Sequence, residues 1–379
     1  KQSKMILNRV KLNCVRSLMK TEFTNVFNKT HQRLLNISCQ AELLKTRGLV
    51  RVSGGDDVLP FLQGIVTNNM RHLQENGKSL FSMFLNTKGR VLYDSIIYKT
   101  NEENTYFVEC DSQGLGDLVR HLKMYRVRRK INIDSIDNEY KVWALFNPIS
   151  IEISTNTINS LKQEQIVPCT LPNLEDKAGL TFLNDLVLDS ALVYADPRLS
   201  SLGSRVIAPD GENIVDAVQK AGVKVETSSP YSYRMFRYRL GVGEGTEELP
   251  IGKCFPLEVN CDYLHGVSFH KGCYIGQELT ARTHHTGVVR KRLMPLLLES
   301  EVTSGNFPVD TPIEAAAGDR KTAIGKLRGV EKNCALGLMR IAEALEVHKL
   351  KVRNIEGETV RPFWWPQELS KERVDTGRS

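Results

Sequence analysis

Short apolar stretches bounded by turn residues recur through the first half of the chain. Runs of this length, rich in β-branched and aromatic residues, are typical of β-strands. They predict strands at residues 48–53, 79–85, 91–98, 105–110 and 140–146. The second and third of these strands are joined by Asn86-Thr87-Lys88-Gly89, a sequence that predicts a hairpin turn.

Other stretches repeat apolar residues three or four positions apart, the spacing of one helix face. One follows Asp56, which predicts an N-cap, and a second covers residues 115–125. Residues 210–222, which end in glycine, and residues 231–240 predict two further helices. The mixture of strands and helices indicates an α+β fold.

The pattern divides the chain into several parts. From residue 288 onward it changes to short strands with glycine turns, including 345–352, which predicts a C-terminal β-barrel domain over 288–366. We place one α+β domain at 41–140 and a second at 141–287. The polar residues 147–175 predict a loop-rich insertion, and the charged residues 367–379 predict a flexible tail.

The net charge of +7 is concentrated in the first forty residues, which carry eight basic side chains and one acid. The rest of the chain is electrically balanced, so we expect no nucleic-acid partner. The basic, acid-poor segment predicts a mitochondrial presequence over residues 1–40, with a disordered basic tail as the alternative. Because the apolar runs are far shorter than the roughly 20 residues of a membrane-spanning helix, we expect no membrane partner either.

The eight cysteines are scattered, and none forms a CxxC pair. This favours free thiols in a reducing compartment over a disulfide framework. It also argues against a self-contained zinc or iron–sulfur site, which needs clustered ligands.

The densest polar segment is KGCYIGQE, residues 271–278. Unpaired polar groups are costly to bury, so this composition predicts a functional loop that presents Cys273, with Lys271 favouring its thiolate. A small cysteine packed under a turn is the alternative. Glu278 and Arg282, four residues apart, form either part of the site or an ordinary helical ion pair. The other residues that we expect to shape the loop are Gly272, Tyr274, Gly276 and Gln277.

Two further features leave alternatives open. Asp94 shares a strand face with Ile96 and Tyr98, so its carboxylate either lines a cavity suited to a pterin-like or amine group or lies on the rim of the sheet. Residues 125–130 form a basic run, which is either a solvated face or a contact for an acidic partner or a polyglutamate tail.

Four segments match a known pattern: residues 61–68 (FLQGIVTN), 85–91 (LNTKGRV), 256–260 (PLEVN) and 267–278 (VSFHKGCYIGQE). Together they resemble the folate-binding YgfZ family, and most closely its mitochondrial branch of iron–sulfur cluster assembly factors. The Lys-Gly-Cys-Tyr-x-Gly-Gln-Glu element is specific to that family. The other segments are shared with the aminomethyltransferase of the glycine cleavage system.

The resemblance implies a ring of three domains around a folate-sized cavity, with a C-terminal β-barrel. It implies a protein of the mitochondrial matrix that supports maturation of [4Fe-4S] proteins such as aconitase and lipoate synthase, with A-type iron–sulfur carrier proteins as partners. Cys273 would be the catalytic thiol and a shared ligand of a transient [2Fe-2S] or [4Fe-4S] cluster, tuned by Lys271. Tetrahydrofolate would bind in the cavity, near Asn86, Asp94 and Arg239.

The chain departs from the aminomethyltransferase pattern at two carboxylates. Arg239 stands where those enzymes carry a glutamate, and Tyr93-Asp94 stands where they carry an Asp-Asp pair. A cation or a phenol does not replace an anion in orienting a substrate, so cluster assembly is favoured over tetrahydrofolate-dependent aminomethyl transfer. A scaffold that binds carrier proteins through the basic run is the third hypothesis.

Overall fold

A computed structural model describes residues 38–75, 78–148, 186–302, 307–316 and 323–366. The body of the protein consists of strands and short helices. In chain order, the strands of the body are β1 (Ser38–Leu43), β2 (Arg47–Gly54), β3 (Ser79–Leu85), β4 (Val91–Lys99), β5 (Thr105–Asp111), β6 (Ile131–Ser135), β7 (Tyr140–Phe146), β8 (Leu192–Ala195), β9 (Ser204–Pro209) and β10 (Lys224–Val225). The helices are α1 (Val58–Ile65), α2 (His72–Glu75), α3 (Leu115–Arg126), α4 (Ile214–Lys220), α5 (Tyr233–Leu240), α6 (Gly245–Glu248) and α7 (Gln277–Thr286).

Several expectations concern residues that the structure does not describe. The predicted presequence, up to residue 37, and the predicted tail at 367–379 lie outside the described ranges. Nearly all of the insertion expected at 147–175 lies outside them as well.

The ten strands form two five-stranded sheets, in the orders β3-β4-β5-β2-β6 and β10-β1-β7-β9-β8. The predicted hairpin is confirmed, since β3 and β4 pair antiparallel and the Gly89 N–H donates to the Asn86 carbonyl at 2.9 Å. Strand β1 pairs with β7 in the second sheet, although its residues fall in the expected presequence and first domain. The other domain bounds stay predictions.

Helices α1 and α3 follow the apolar spacing of the sequence. Helix α1 buries Val58, Phe61, Leu62 and Ile65 against the first sheet, and its N-cap is Asp57 instead of the expected Asp56. Each fully buried side chain of this kind stabilises the fold by about 1.5–3 kcal/mol. Within the described ranges, no helix has the length and apolar character needed to cross a bilayer.

The predicted C-terminal β-barrel is confirmed as a closed barrel in the order β11-β13-β12-β14-β15. The strand expected at 345–352 is wrong in its first part, where a helix buries Ala344 and ends at Glu346. The elements of this domain are β11 (Lys291–Val302), β12 (Pro312–Ala315), β13 (Gly325–Arg340), α8 (Ile341–Glu346), β14 (Leu350–Val352) and β15 (Ile355–Thr359).

Candidate functional site: an anchored thiol loop

The KGCYIGQE segment forms the loop that leads into α7. Lys271 and Tyr274 are buried, with relative exposures of 9% and 8%. Gly272 and Cys273, which lie between them, are both exposed. The alternative of a cysteine packed under a turn is therefore wrong, and the Cys273 thiol is accessible to a partner.

Lys271 is directed into the body of the protein. Its Nζ donates to the main-chain oxygens of Gln63, Val66 and Asn68 at 2.6, 2.7 and 2.7 Å. These oxygens lie at and just beyond the C-terminal end of α1, where helix carbonyls lack partners and the helix dipole favours a cation. The ammonium group of Lys271 therefore caps this helix, and its expected effect on the charge of Cys273 stays a prediction.

Two effects act on the protonation of Lys271. Burial lowers the pKa of its amine to about 7. The three carbonyl acceptors oppose this shift, since an ammonium group has three N–H donors and a neutral amine has only two. The charged form is therefore the one that satisfies all three carbonyls.

The loop is attached to the segment 63–68 on both sides of Cys273. Before the thiol, the Ser268 N–H donates to the Thr67 carbonyl at 3.1 Å. After it, the Ile275 N–H donates to the Gly64 carbonyl at 3.2 Å. Hydrogen bonds on either side restrict the main chain, so Cys273 is presented from a fixed support.

Gly276 closes the loop against the β3–β4 hairpin. It adopts φ 77°, and a Cβ at this position would lie 2.3 Å from the Asn86 carbonyl oxygen. The Asn86 side chain accepts hydrogen bonds from the main-chain N–H groups of Lys88 and Arg90, both at 3.0 Å. The expected folate role of Asn86 is not supported, because its side chain builds the turn beneath the loop.

We predict a large effect of substitution at one loop glycine and almost none at the other. Gly276→Ala should lower the free energy of unfolding by about 2 kcal/mol, because left-handed strain and a steric clash add together. Gly272→Ala should change it by less than about 0.5 kcal/mol, since a Cβ there meets no atom within 4 Å. Urea unfolding of both variants checks this, and equal losses would contradict the described loop.

The first residues of α7 complete the motif. The Gln277 Oε1 accepts from the Tyr274 N–H at 3.2 Å, which ties the loop to the start of the helix. Glu278 lies in the first helical turn, where the dipole favours an anion. Glu278 and Arg282 are both exposed, and among the described residues no ion pair joins them. The ordinary ion-pair interpretation is therefore not supported.

A buried ion cluster lies between the two sheets and α5, and Glu244 is its centre. The Glu244 carboxylate contacts Arg205, and it lies 2.7 Å from Arg198, 3.7 Å from Arg237 and 3.9 Å from Arg47. Burial raises the pKa of Glu244, but the four guanidinium groups outweigh burial and hold the pKa well below its usual range. The other carboxylates of the cluster are Asp94, Glu109, Asp196 and Glu248.

Asp94 belongs to this cluster and is buried, so its interpretation as a residue on the rim of the sheet is wrong. It is 2% exposed, accepts from Arg47 Nη1 at 3.1 Å and accepts from the Gly245 N–H at 2.9 Å. Burial raises its pKa, and Arg47 lowers it, with a net upward shift. The pairing with Arg47 counts against Asp94 as the carboxylate that orients a pterin, and its role at a cavity stays a prediction.

Arg239 does not join Asp94. Its guanidinium lies over the Tyr231 ring at 5.5 Å, whereas Arg237, two residues earlier, enters the buried cluster. Two surface concavities of the described residues, of about 430 and 340 Å³, are lined by other residues. As they stand, Asn86, Asp94 and Arg239 do not fit tetrahydrofolate as a single site.

The remaining cysteines in the described ranges are buried. Burial raises the pKa of Cys254 to about 11 and that of Cys39 to about 12, so these thiols stay protonated. No group of three or more His, Cys, Asp or Glu side chains in the described residues is arranged to hold a metal ion. Among the described cysteines, Cys273 is exposed, whereas Cys110, Cys261 and Cys334 are buried like Cys39 and Cys254.

The fold is that of an aminomethyltransferase. The crystal structure of glycine cleavage system aminomethyltransferase T from Bartonella henselae superposes with a TM-score of 0.59, covering 89% of each chain at 12% identity. Residues 290–367 match the family described as CAF17, C-terminal beta-barrel domain. The expected α+β architecture with its C-terminal barrel is confirmed.

Three relatives define the family more closely. Iron-sulfur cluster assembly factor IBA57, mitochondrial, is 35% identical in Mus musculus and in Homo sapiens, over 85% of this chain and 84% of each relative. The IBA57 homolog of Neosartorya fischeri is 33% identical over 79% of this chain and 69% of its own. The chain belongs to the IBA57 branch of the YgfZ family, as the motif predicted. The relatives' names agree with the expected mitochondrial localisation.

Proposed function

We propose that this protein works in the mitochondrial matrix as an iron–sulfur cluster assembly factor, and that Cys273 holds a cluster jointly with a partner. The exposed Cys273 thiol on its anchored loop carries the proposal. The relatives named as mitochondrial iron–sulfur cluster assembly factors support it. In this role the protein supports maturation of [4Fe-4S] enzymes of the aconitase and lipoate synthase type.

The chemistry of the thiol explains the need for a partner. A cluster is held by several thiolates, and Cys273 supplies one, while the other described cysteines are buried. An A-type iron–sulfur carrier protein supplies the remaining ligands. The cluster is then the cargo of the complex. A fixed loop lowers the conformational entropy that is lost when the joint site forms.

Reconstitution tests this function. The full chain is mixed with an A-type carrier that holds a [2Fe-2S] cluster, and visible circular dichroism is recorded. We expect a new cluster spectrum with the wild type and with His270→Ala, since His270 is exposed on the same loop. Cys273→Ser should leave the spectrum of the carrier unchanged. A new spectrum that survives in Cys273→Ser would refute ligation by this thiol.

Tetrahydrofolate binding stays a prediction. The pairing of Asp94 with Arg47 counts against a pterin at that carboxylate. Calorimetric titration of the purified chain with tetrahydrofolate measures it directly and is independent of the cluster experiment.

A further inference from the structure

The C-terminal end of α3 carries an exposed apolar pair that is flanked along the chain by cations. Met124 and Val127 are 63% and 73% exposed, among the largest exposures of any described large apolar side chain. A concavity of about 430 Å³ opens beside them, lined by residues 126–129 and by Asp57 at the start of α1. We call this surface the α3 patch, and its cations are Lys123, Arg126, Arg128, Arg129 and Lys130.

The cations of the α3 patch lack acidic partners. Among the described residues, no carboxylate lies within 4 Å of any of these five side chains. Arg126 donates to the Ile131 carbonyl at 2.8 Å, and Arg129 lies 5.9 Å from the Phe61 ring, so both are held in place without being neutralised. Because the chain after residue 40 is electrically balanced, five unneutralised cations in one place form a local excess of positive charge.

Val127 has a strained backbone conformation for which the described fold offers no compensating contact. It adopts φ 53°, in the left-handed region that β-branched residues avoid. Its side chain is mostly exposed, so burial does not offset the strain. Glycine would relieve the strain and keep the turn. A strained, exposed valine is better explained by contact with another molecule than by stability.

We propose that the α3 patch is a docking surface for an acidic protein, whose carboxylates surround an apolar contact with Met124 and Val127. Charge complementarity defines this partner, since cations beside an exposed apolar pair match carboxylates beside an apolar side chain. The apolar centre favours a protein over nucleic acid, which is bound mainly through its phosphates.

The position of the α3 patch relates it to the thiol loop. Asp57, at one end of α1, lines the patch, and Gln63 and Val66, at the other end, bind Lys271. Eight residues of α-helix span about 12 Å. A typical interface of about 800 Å² on each partner is wide enough to cover that distance. A protein that shares a cluster with Cys273 can therefore contact the α3 patch in the same complex.

Association kinetics test the docking surface, with the proposed function guiding the choice of probe. The probe is an A-type carrier with a [2Fe-2S] cluster, flowed over the immobilised full chain. At about 50 mM salt, R128E/R129E should lower the association rate constant about tenfold, and at about 500 mM the difference should largely vanish. Val127→Gly should raise the melting temperature of the protein and speed dissociation of the carrier about fivefold. A valine with a purely structural role would not combine higher stability with weaker binding when replaced.

The control is K220E/K326E, which makes the same change in net charge at two exposed lysines on α4 and β13. If R128E/R129E matches this control at low salt, or if the carrier does not bind the wild type, the α3 patch is not the docking surface. The wild type is also tested against phosphatidylglycerol vesicles and an oligonucleotide. If either binds as tightly as the carrier, and if R128E/R129E loses that binding, the partner is not a protein. Cys273→Ser distinguishes the two proposals, because it removes the shared cluster spectrum and leaves electrostatic association intact.

Discussion

Cys273→Ala should abolish support of protein lipoylation and aconitase activity in cells depleted of the endogenous protein. The exposed thiol is the one described cysteine that a partner can reach, and alanine offers no ligand for a cluster. The fold should be unaffected, because the loop is held by Lys271 and by main-chain hydrogen bonds. Immunoblots for lipoylated proteins and aconitase assays measure the result, and circular dichroism confirms folding.

His270→Ala is the matched control for the cellular experiment. It removes an exposed side chain three residues before the thiol, so it should restore both activities to the level of the wild type. Full rescue by Cys273→Ala would show that the thiol has no chemical role. A scaffold function through other surfaces would then be the better account.

Arg205→Met should lower the free energy of unfolding by about 3–5 kcal/mol, because it removes one of the positive charges that compensate the buried carboxylates. Arg205 is fully buried, contacts Glu244 and lies 3.8 Å from Glu109. Methionine fills a similar volume, so the loss reports mainly the missing charge. Urea or guanidinium unfolding monitored by tryptophan fluorescence measures it.

Arg51→Met is the comparison variant, because it breaks an ion pair that is exposed to solvent. Arg51 lies 2.8 Å from Glu139, with side-chain exposures of 30% and 53%. Exposed ion pairs contribute about 0–1 kcal/mol, so this variant should unfold almost like the wild type. Similar losses in Arg205→Met and Arg51→Met would mean that the cluster around Glu244 is hydrated and not buried.

Local patterns were sufficient for much of the fold. Strand β7 begins and ends at the predicted residues, and helices α1 and α3 bury the predicted faces. These elements depend on the spacing of apolar residues and on turn residues, both of which can be read from a short stretch of sequence. The exposed loop around Cys273 was predictable for a related reason, since its polar composition does not suit a core.

The contacts that define the site were not predictable in the same way. Lys271 reaches Gln63, a residue 208 positions away, and the spacing between Lys271 and Cys273 suggested a local role instead. Arg237 and Arg239 look equivalent in the sequence, but a helix directs them to different faces, and Arg237 enters the cluster. The role of Glu244 at the centre of the ion cluster was not predicted at all. Its one signal is a carboxylate between two glycines, directly before α6 begins.

The long span between Lys271 and its acceptors on α1 has a consequence for the newly made protein. Contacts between residues so far apart in the chain form slowly, because the entropy of loop closure is lost before the contact stabilises the fold. The thiol therefore takes up its working position late, after most of the molecule has assembled. A nascent or partly unfolded copy therefore lacks the loop geometry on which the proposed shared cluster depends.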